Sequence, residues 1–275
     1  MASKDLIKRL SHSSEQHIRD QAVDELGALI KDQGIAFEDM ELRKLFEGIF
    51  FCFWHSDKPK YQQSLTRKFV NYTNLIEKEE DKVMWVQYFF KCLCLHWDRL
   101  DHWRMNKYLL LIKSQLVVIF EHLKSIWDSK PECIQQYMDT IYQESLKEKE
   151  VPLGVGMQMA DVYIDEMAAC FDKSSLSHKR VRDLLNPFLQ ALSKIDQIVL
   201  FRRIKDKVFL KLIESNGLDA EEENPLYFPK FDIVEYAEVD LFTVASAQET
   251  LESRRDEIWV SELILHLANL RGSIW

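Results

Sequence analysis

His96, Asp98, Asp101 and His102 stand close together in the stretch HWDRLDHW. These side-chain types bind zinc or move protons, and a turn could bring them to one ion. No second cluster of ligands elsewhere in the chain supplies an obvious partner, and short polar residues before an apolar run commonly cap helices. Cys92 and Cys94 lie two apart on a predicted helix, so their thiols point to different sides and cannot pinch one metal. The chain has no Gly-rich phosphate loop, no Walker lysine and no nucleophile elbow. The expectation is a protein that is not an enzyme, with no catalytic residue, metal, cofactor or small-molecule substrate. An enzyme of unrecognised type would instead show a pocket of convergent polar groups.

Charged residues suggest binding. HKRVR and FRRIKDKVF fall on successive predicted helices. Lys179, Arg180 and Arg182, with Arg202, Arg203, Lys205 and Lys207, could share one edge and contact RNA phosphates without reading sequence. The plain alternative is a solvated charged face. Two corners mix tryptophan with charge: Asp57, Lys58 and Lys60 in the first, and Asp98, Arg99, Asp101, Arg104 and Lys107 at the second. In an up-down stack such corners fall on one end, and the mix suits an aromatic-centred, polar-rimmed protein interface. The alternative is that both merely cap helices.

The elements that position these residues read as helices. In LFEGIFFCFWHSDKP, Phe46, Ile49, Phe50 and Phe53 follow helical spacing, while Leu45, Phe51, Cys52 and Trp54 widen the face past half the cylinder. Such a helix is buried by more than one neighbour, and Trp54 is expected inside. His55–Pro59 is a tight corner: Lys58 precedes proline, Pro59 suits the first position of a helix, and Ser56 and Asp57 can bond nearby free amides. Tyr61, Leu65, Phe69 and Tyr72 continue on the next helix.

The charge run Glu77–Lys82 separates that helix from Val83–Leu95. Met105, Leu109, Ile112, Leu116, Phe120, Leu123 and Trp127 predict a helix of about seven turns. Further stripes run through Ile134–Ile141, Leu153–Phe171, Val181–Leu192 and Ile198–Leu212. Earlier, residues 4–31 give two short amphipathic segments, punctuated by Gly34. The acidic loop Asp219–Pro225 reads as a linker, FDIVEY (231–236) as a strand, and about Gln248 to Leu270 as a last helix. Helix pairs begin near residues 36, 80, 132 and 177, a step of roughly 45, in the range of HEAT-like or armadillo-like units. The predicted fold is all-α, an irregular HEAT/armadillo-like α-solenoid of stacked helix pairs. A helical-repeat-like domain covers 1–218, an acidic loop and extended linker 219–247, and a C-terminal helix packing on the main domain 248–275.

Composition agrees. In 275 residues there are 7 Gly and 6 Pro, which leaves few breakers, and 47% apolar with 29% charged residues is globular. The net charge of −9 argues against a general nucleic-acid coat or a membrane-surface protein. Five cysteines, an odd number, and no long apolar run at the N-terminus point to free thiols in a reducing compartment without a membrane span.

LFEGIFFCFWHSDKP resembles the signature of the ribosomal RNA processing protein 1 family, also called the nucleolar protein 52 family: an aromatic helix ending in Trp, a polar residue and Ser-Asp-Lys-Pro. HWDRLDHWRMNKYLLLIK (96–113) is similar to a second family segment, LGVGMQMADVYIDEM (153–167) to a third and LLNPFLQAL (184–192) to a fourth, in the expected order across most of 36–213. The resemblance implies a non-catalytic factor of nucleolus and nucleus. It would scaffold early precursors of the large ribosomal subunit and support pre-rRNA processing. Its partners would be other nucleolar assembly factors and large-subunit ribosomal proteins, with contacts to the pre-rRNA backbone. Many animal members carry a long basic tail, whereas this chain ends at Trp275 without one, so the domain is expected to be held mainly by proteins. The competing reading is a generic HEAT-like protein–protein adaptor unrelated to ribosomes.

Overall fold

The structure is a computed structural model that describes residues 4–35, 37–216, 223–231 and 233–236. Among these residues every regular element is helical. The helices are α1 (Lys4–His12), α2 (Gln16–Gln33), α3 (Asp39–Trp54), α4 (Pro59–Leu75), α5 (Glu79–His96), α6 (His102–Ile126), α7 (Pro131–Ile141), α8 (Leu153–Cys170), α9 (His178–Leu192), α10 (Ile198–Ile204), α11 (Lys211–Asn216) and α12 (Ile233–Tyr236).

The chain forms two compact units, Met1–His122 and Leu123–Trp275, with the boundary inside α6. In the first unit α1 packs on α3 and α3 on α5, while α2 packs on α4. That alternation, each helix against the one two further on, is how stacked helix pairs bury their apolar stripes. The second unit repeats it, with α7 on α9 and α8 on α10. The fold class predicted from the stripes is therefore the one observed.

Local rules explain most boundaries. Gly34 ends α2 at φ 64°, a conformation that costs glycine nothing, and its amide donates to the Ile30 carbonyl at 2.9 Å. A reciprocal capping box between Glu38 and Glu41 starts α3. Lys58 is extended (φ −87°, ψ 130°) and Pro59 opens α4, as the Lys-Pro pair dictates. Gly156 in α8 lies so close to α10 that an added Cβ would come within 3.1 Å of Leu200.

Three readings change. The charged residues Glu79–Lys82 do not separate helices but form the first turn of α5. Carboxylates favour a helix N-terminus. Glu79 is buried there, 2.6 Å from His122 and 3.3 Å from Lys82. FDIVEY is not a strand: Ile233–Tyr236 is a single helical turn. Its alternation spans too few residues to demand a sheet partner, and the Tyr236 ring instead packs 5.3 Å from Phe231 and 6.3 Å from Phe209. Helical structure after α7 and α10 passes through π-helical segments, Tyr142–Leu146 and Lys205–Leu210, which apolar periodicity does not reveal. The predicted C-terminal helix, residues 237–247 and 219–222 of the acidic loop lie outside the described residues.

Candidate functional site

The two tryptophan-bearing corners of the first unit meet. In the first, α3 ends at Trp54 and the chain turns through His55–Lys58. Ser56 is buried, and its hydroxyl donates to the Phe53 carbonyl at 2.6 Å. It thus closes the end of α3 rather than capping the amides of α4, where the side chains form no cap. The Gln62 amide donates to the Ser56 carbonyl at 2.8 Å, and Arg19 reaches the His55 carbonyl at 3.4 Å.

The second corner runs from His96 through a 3₁₀ turn, Trp97–Arg99, to α6. Asp101 caps α6 by accepting the Arg104 amide at 2.9 Å, and it also pairs with the Arg104 guanidinium. Partial burial raises the Asp101 carboxyl, but these Arg104 contacts outweigh it and hold the group below the usual carboxylate range.

Lys107 and Arg104, a turn apart on α6, reach across to the first corner. The Lys107 ammonium donates to the Trp54 carbonyl and to the Ser56 carbonyl, each at 2.8 Å, and approaches the Ser56 hydroxyl at 3.4 Å. Free carbonyls at a helix C-terminus attract a cation. The Arg104 guanidinium lies 4.3 Å from the centre of the Trp54 ring, a cation–π contact. Tyr108 donates to the Phe50 carbonyl at 2.9 Å. Removing that hydroxyl in Tyr108→Phe is expected to cost about 1 kcal/mol, read from the urea midpoint, because one buried hydrogen bond is lost at constant shape.

The corner residues divide by position. Lys107 is 4% exposed and belongs to the interior, not to a free surface. Burial pushes its ammonium down to about 8, with the Arg104 charge acting in the same direction. Arg104 and Asp101 are half-buried and engaged with each other. Asp57, Lys58, Lys60, Asp98 and Arg99 are exposed. Trp54 is half-buried, not enclosed as its helix suggests, because it is the last residue of α3 and α6 covers one side. Trp97 is buried, whereas Trp103 in the first turn of α6 is 87% exposed. Sequence reasoning did not single out Trp103 as the exposed one of the three.

The basic cluster also divides. Arg180 pairs with Asp128, donates to the Ser175 carbonyl at 3.0 Å and lies 5.5 Å from the Trp127 ring. Arg203 holds Asp161 at 2.6 Å, and Lys205 stands 3.6 Å from Asp206. Lys179, Arg182, Arg202 and Lys207 are exposed. The Cys52 thiol is buried and pushed up to about 12 by that burial. Among the described residues no three His, Cys, Asp or Glu side chains gather where they could hold a metal, and no helix is long and apolar enough to cross a membrane.

A family model described as "Nucleolar protein, Nop52" matches residues 1–257. The chain belongs to the Nop52 family. It is similar to ribosomal RNA processing protein 1 homolog B of Homo sapiens, 28% identical over 217 residues, which are 76% of this chain and 28% of that protein. It is also similar to ribosomal RNA processing protein 1 homologs of Dictyostelium discoideum, 23% identical over 284 residues (93% of this chain, 56% of that one), and of Caenorhabditis elegans, 26% identical over 254 residues (89% and 63%). This Nop52-family chain thus spans 28% to 63% of the length of these relatives. Both tryptophan corners lie inside the stretch that the Nop52 model matches.

Proposed function

We propose that the chain is a nucleolar factor of ribosomal RNA processing that scaffolds early large-subunit precursors without catalysing a reaction. Membership of the Nop52 family over residues 1–257 carries this reading. Relatives named as ribosomal RNA processing protein 1 homologs support it. The partners are other assembly factors and large-subunit ribosomal proteins. They are held at the two joined corners by the exposed residues Trp103 and Arg99, with Asp57, Lys58, Lys60 and Asp98 contributing. An exposed tryptophan together with exposed charges is the composition of an aromatic-centred, polar interface. Lys179, Arg182, Arg202 and Lys207 add non-specific contacts to the pre-rRNA backbone.

The test is a double variant, Trp103→Ala with Arg99→Glu. Both side chains are exposed, so the helical signal and the melting midpoint stay as in the unaltered protein. Recovery of tagged protein with large-subunit precursor particles on a gradient is expected to fall at least about tenfold, the consequence of losing roughly 1.4 kcal/mol or more of binding. Unchanged recovery removes the corner from the proposal. Naked RNA, titrated across salt, separates the two kinds of contact: a protein-held domain binds it weakly even at low salt.

A further inference from the structure

In the second unit the chain beyond α11 folds back over the helices as a strap. Its Leu226, Phe228, Phe231 and Tyr236 are buried. Side chains of the helical body fasten its backbone. The Asn216 carboxamide donates to the Leu226 carbonyl at 2.9 Å and accepts the Phe228 amide at 2.6 Å, and the Lys173 ammonium donates to the Asn224 carbonyl at 2.5 Å. Further backbone bonds, Tyr227 to Asn224 and Phe231 to Phe228, close turns within the strap itself. Among the described residues no strand joins it to the body. A segment fastened by side chains and local turns opens at lower cost than a core helix.

The strap touches both basic runs of the sequence. Phe231 stacks on His178, the first residue of HKRVR and of α9, with ring centres 5.5 Å apart. Tyr236 lies nearly parallel to Phe209, the last residue of FRRIKDKVF, at 6.3 Å. Between these two anchors in sequence, the exposed Glu235 carries its carboxylate 4.0 Å from His178 Nε2, at the N-terminus of α9. A helix N-terminus beside basic side chains favours a phosphate, and a carboxylate there takes the same place. Lys179 and Arg182 follow within about one turn of His178, roughly 6 Å along the axis. That is inside the screening length of about 8 Å at physiological salt. The stretch from Asp219 to Tyr236 carries six carboxylates and one lysine, so its sequence is complementary to the basic runs.

We infer that residues 223–236 are an autoinhibitory strap, whose aromatic anchors hold the Glu235 carboxylate at the basic start of α9 in the place of an RNA phosphate. This rests on the reading that Lys179, Arg182, Arg202 and Lys207 meet the pre-rRNA backbone. RNA and the strap compete for one surface. The domain binds RNA weakly while the strap is fastened and more tightly once it is lifted. Because the competition is between charges, salt weakens it.

Fluorescence anisotropy of a labelled uridine oligonucleotide with the full-length chain reads the competition. Phe228→Ser with Phe231→Ser removes two anchors and is expected to tighten binding at least about threefold at low salt. Glu223→Gln with Glu235→Gln leaves the anchors in place and is expected to tighten it about twofold, a gain that disappears at high salt. Both carboxylates are exposed, so this pair keeps the melting midpoint and carries the test even where the anchor variant does not fold. Glu77→Gln with Glu80→Gln removes the same charge from exposed positions of the first unit and is expected to change binding less. Lys179→Glu with Arg182→Glu probes the surface itself. Where it weakens binding but the carboxylate pair does not tighten it, the basic surface stands and the strap inference is overturned. A gain matched by the Glu77 and Glu80 pair, or weaker binding in the carboxylate pair, overturns it as well. Binding indifferent to Lys179→Glu with Arg182→Glu removes the surface, and the strap inference with it.

Discussion

Lys107→Met is expected to lower the unfolding free energy by about 3 kcal/mol, one of the largest effects of a single polar substitution in this chain. Methionine keeps the length and the apolar stem but removes the ammonium. The Trp54 carbonyl, bonded at 2.8 Å, then loses this donor, and the Ser56 carbonyl, also bonded at 2.8 Å, keeps the Gln62 side-chain amide. A hydrogen bond from a charged donor contributes about 1.5–3 kcal/mol, and an orphaned buried acceptor costs about 1–3 kcal/mol. Relief of the ammonium's own desolvation offsets part of that loss. Loss wins because two charge-assisted bonds go at once and the same ammonium joins segments 53 and 51 residues apart.

The measurement is a urea denaturation with a shifted midpoint and an unchanged slope. Trp103→Ala, a larger truncation one turn earlier, is expected to stay within about 0.5 kcal/mol because its ring is exposed. A signature in pH accompanies the effect. Burial holds the folded pKa of Lys107 at about 8, below the 10.5 of an ordinary lysine. In that window the unfolded chain binds more protons than the folded one, so the Lys107 contribution makes stability rise as pH increases from about 8 toward 10.5. The rise is absent from Lys107→Met.

Phe53→Ala is expected to cost about 3–5 kcal/mol, and Trp54→Ala, one residue on, about 1–2 kcal/mol. Phe53 is 0% exposed and packs its ring 5.9 Å from Phe69 and 5.2 Å from Tyr108, so truncation opens a cavity among three helices. Trp54 has the larger side chain, but part of it already meets water, and its losses are the Arg104 contact at 4.3 Å and its covered face. The order of the two costs is the reverse of side-chain size. Equal or inverted midpoints in denaturation would mean that Trp54 is enclosed after all. Combining Trp54→Ala with Arg104→Ala should cost less than the sum of the single changes, since each removes the same cation–π pair.

Apolar spacing alone determined that the described chain is helical, where its long helices run and that they pack as pairs. The 3.6-residue period is a property of the backbone and is written into Phe46–Phe53, Met105–Leu123 and Leu153–Met167 without reference to any neighbour. Backbone chemistry likewise determined Gly34 as a stop and Pro59 as a start, because their dihedral limits are intrinsic. The family signature was legible for the same reason: it consists of a helix and the corner that ends it.

Which polar residues face inward was decided by the tertiary structure. Lys107 and Arg99 are both cations beside the second corner, yet one has its ammonium on carbonyls that sit more than fifty residues earlier and the other stands in water. A long flexible stem can follow either course, and a distant helix end selects. Glu79 reads as part of a charge run between two helices until His122 stands beside it. Trp54, Trp97 and Trp103 are alike as sequence, but half-buried, buried and exposed in the fold. Periodicity tells which residues share a face. The rotation of each helix against its neighbours, set by the packing of many side chains together, tells which face is covered.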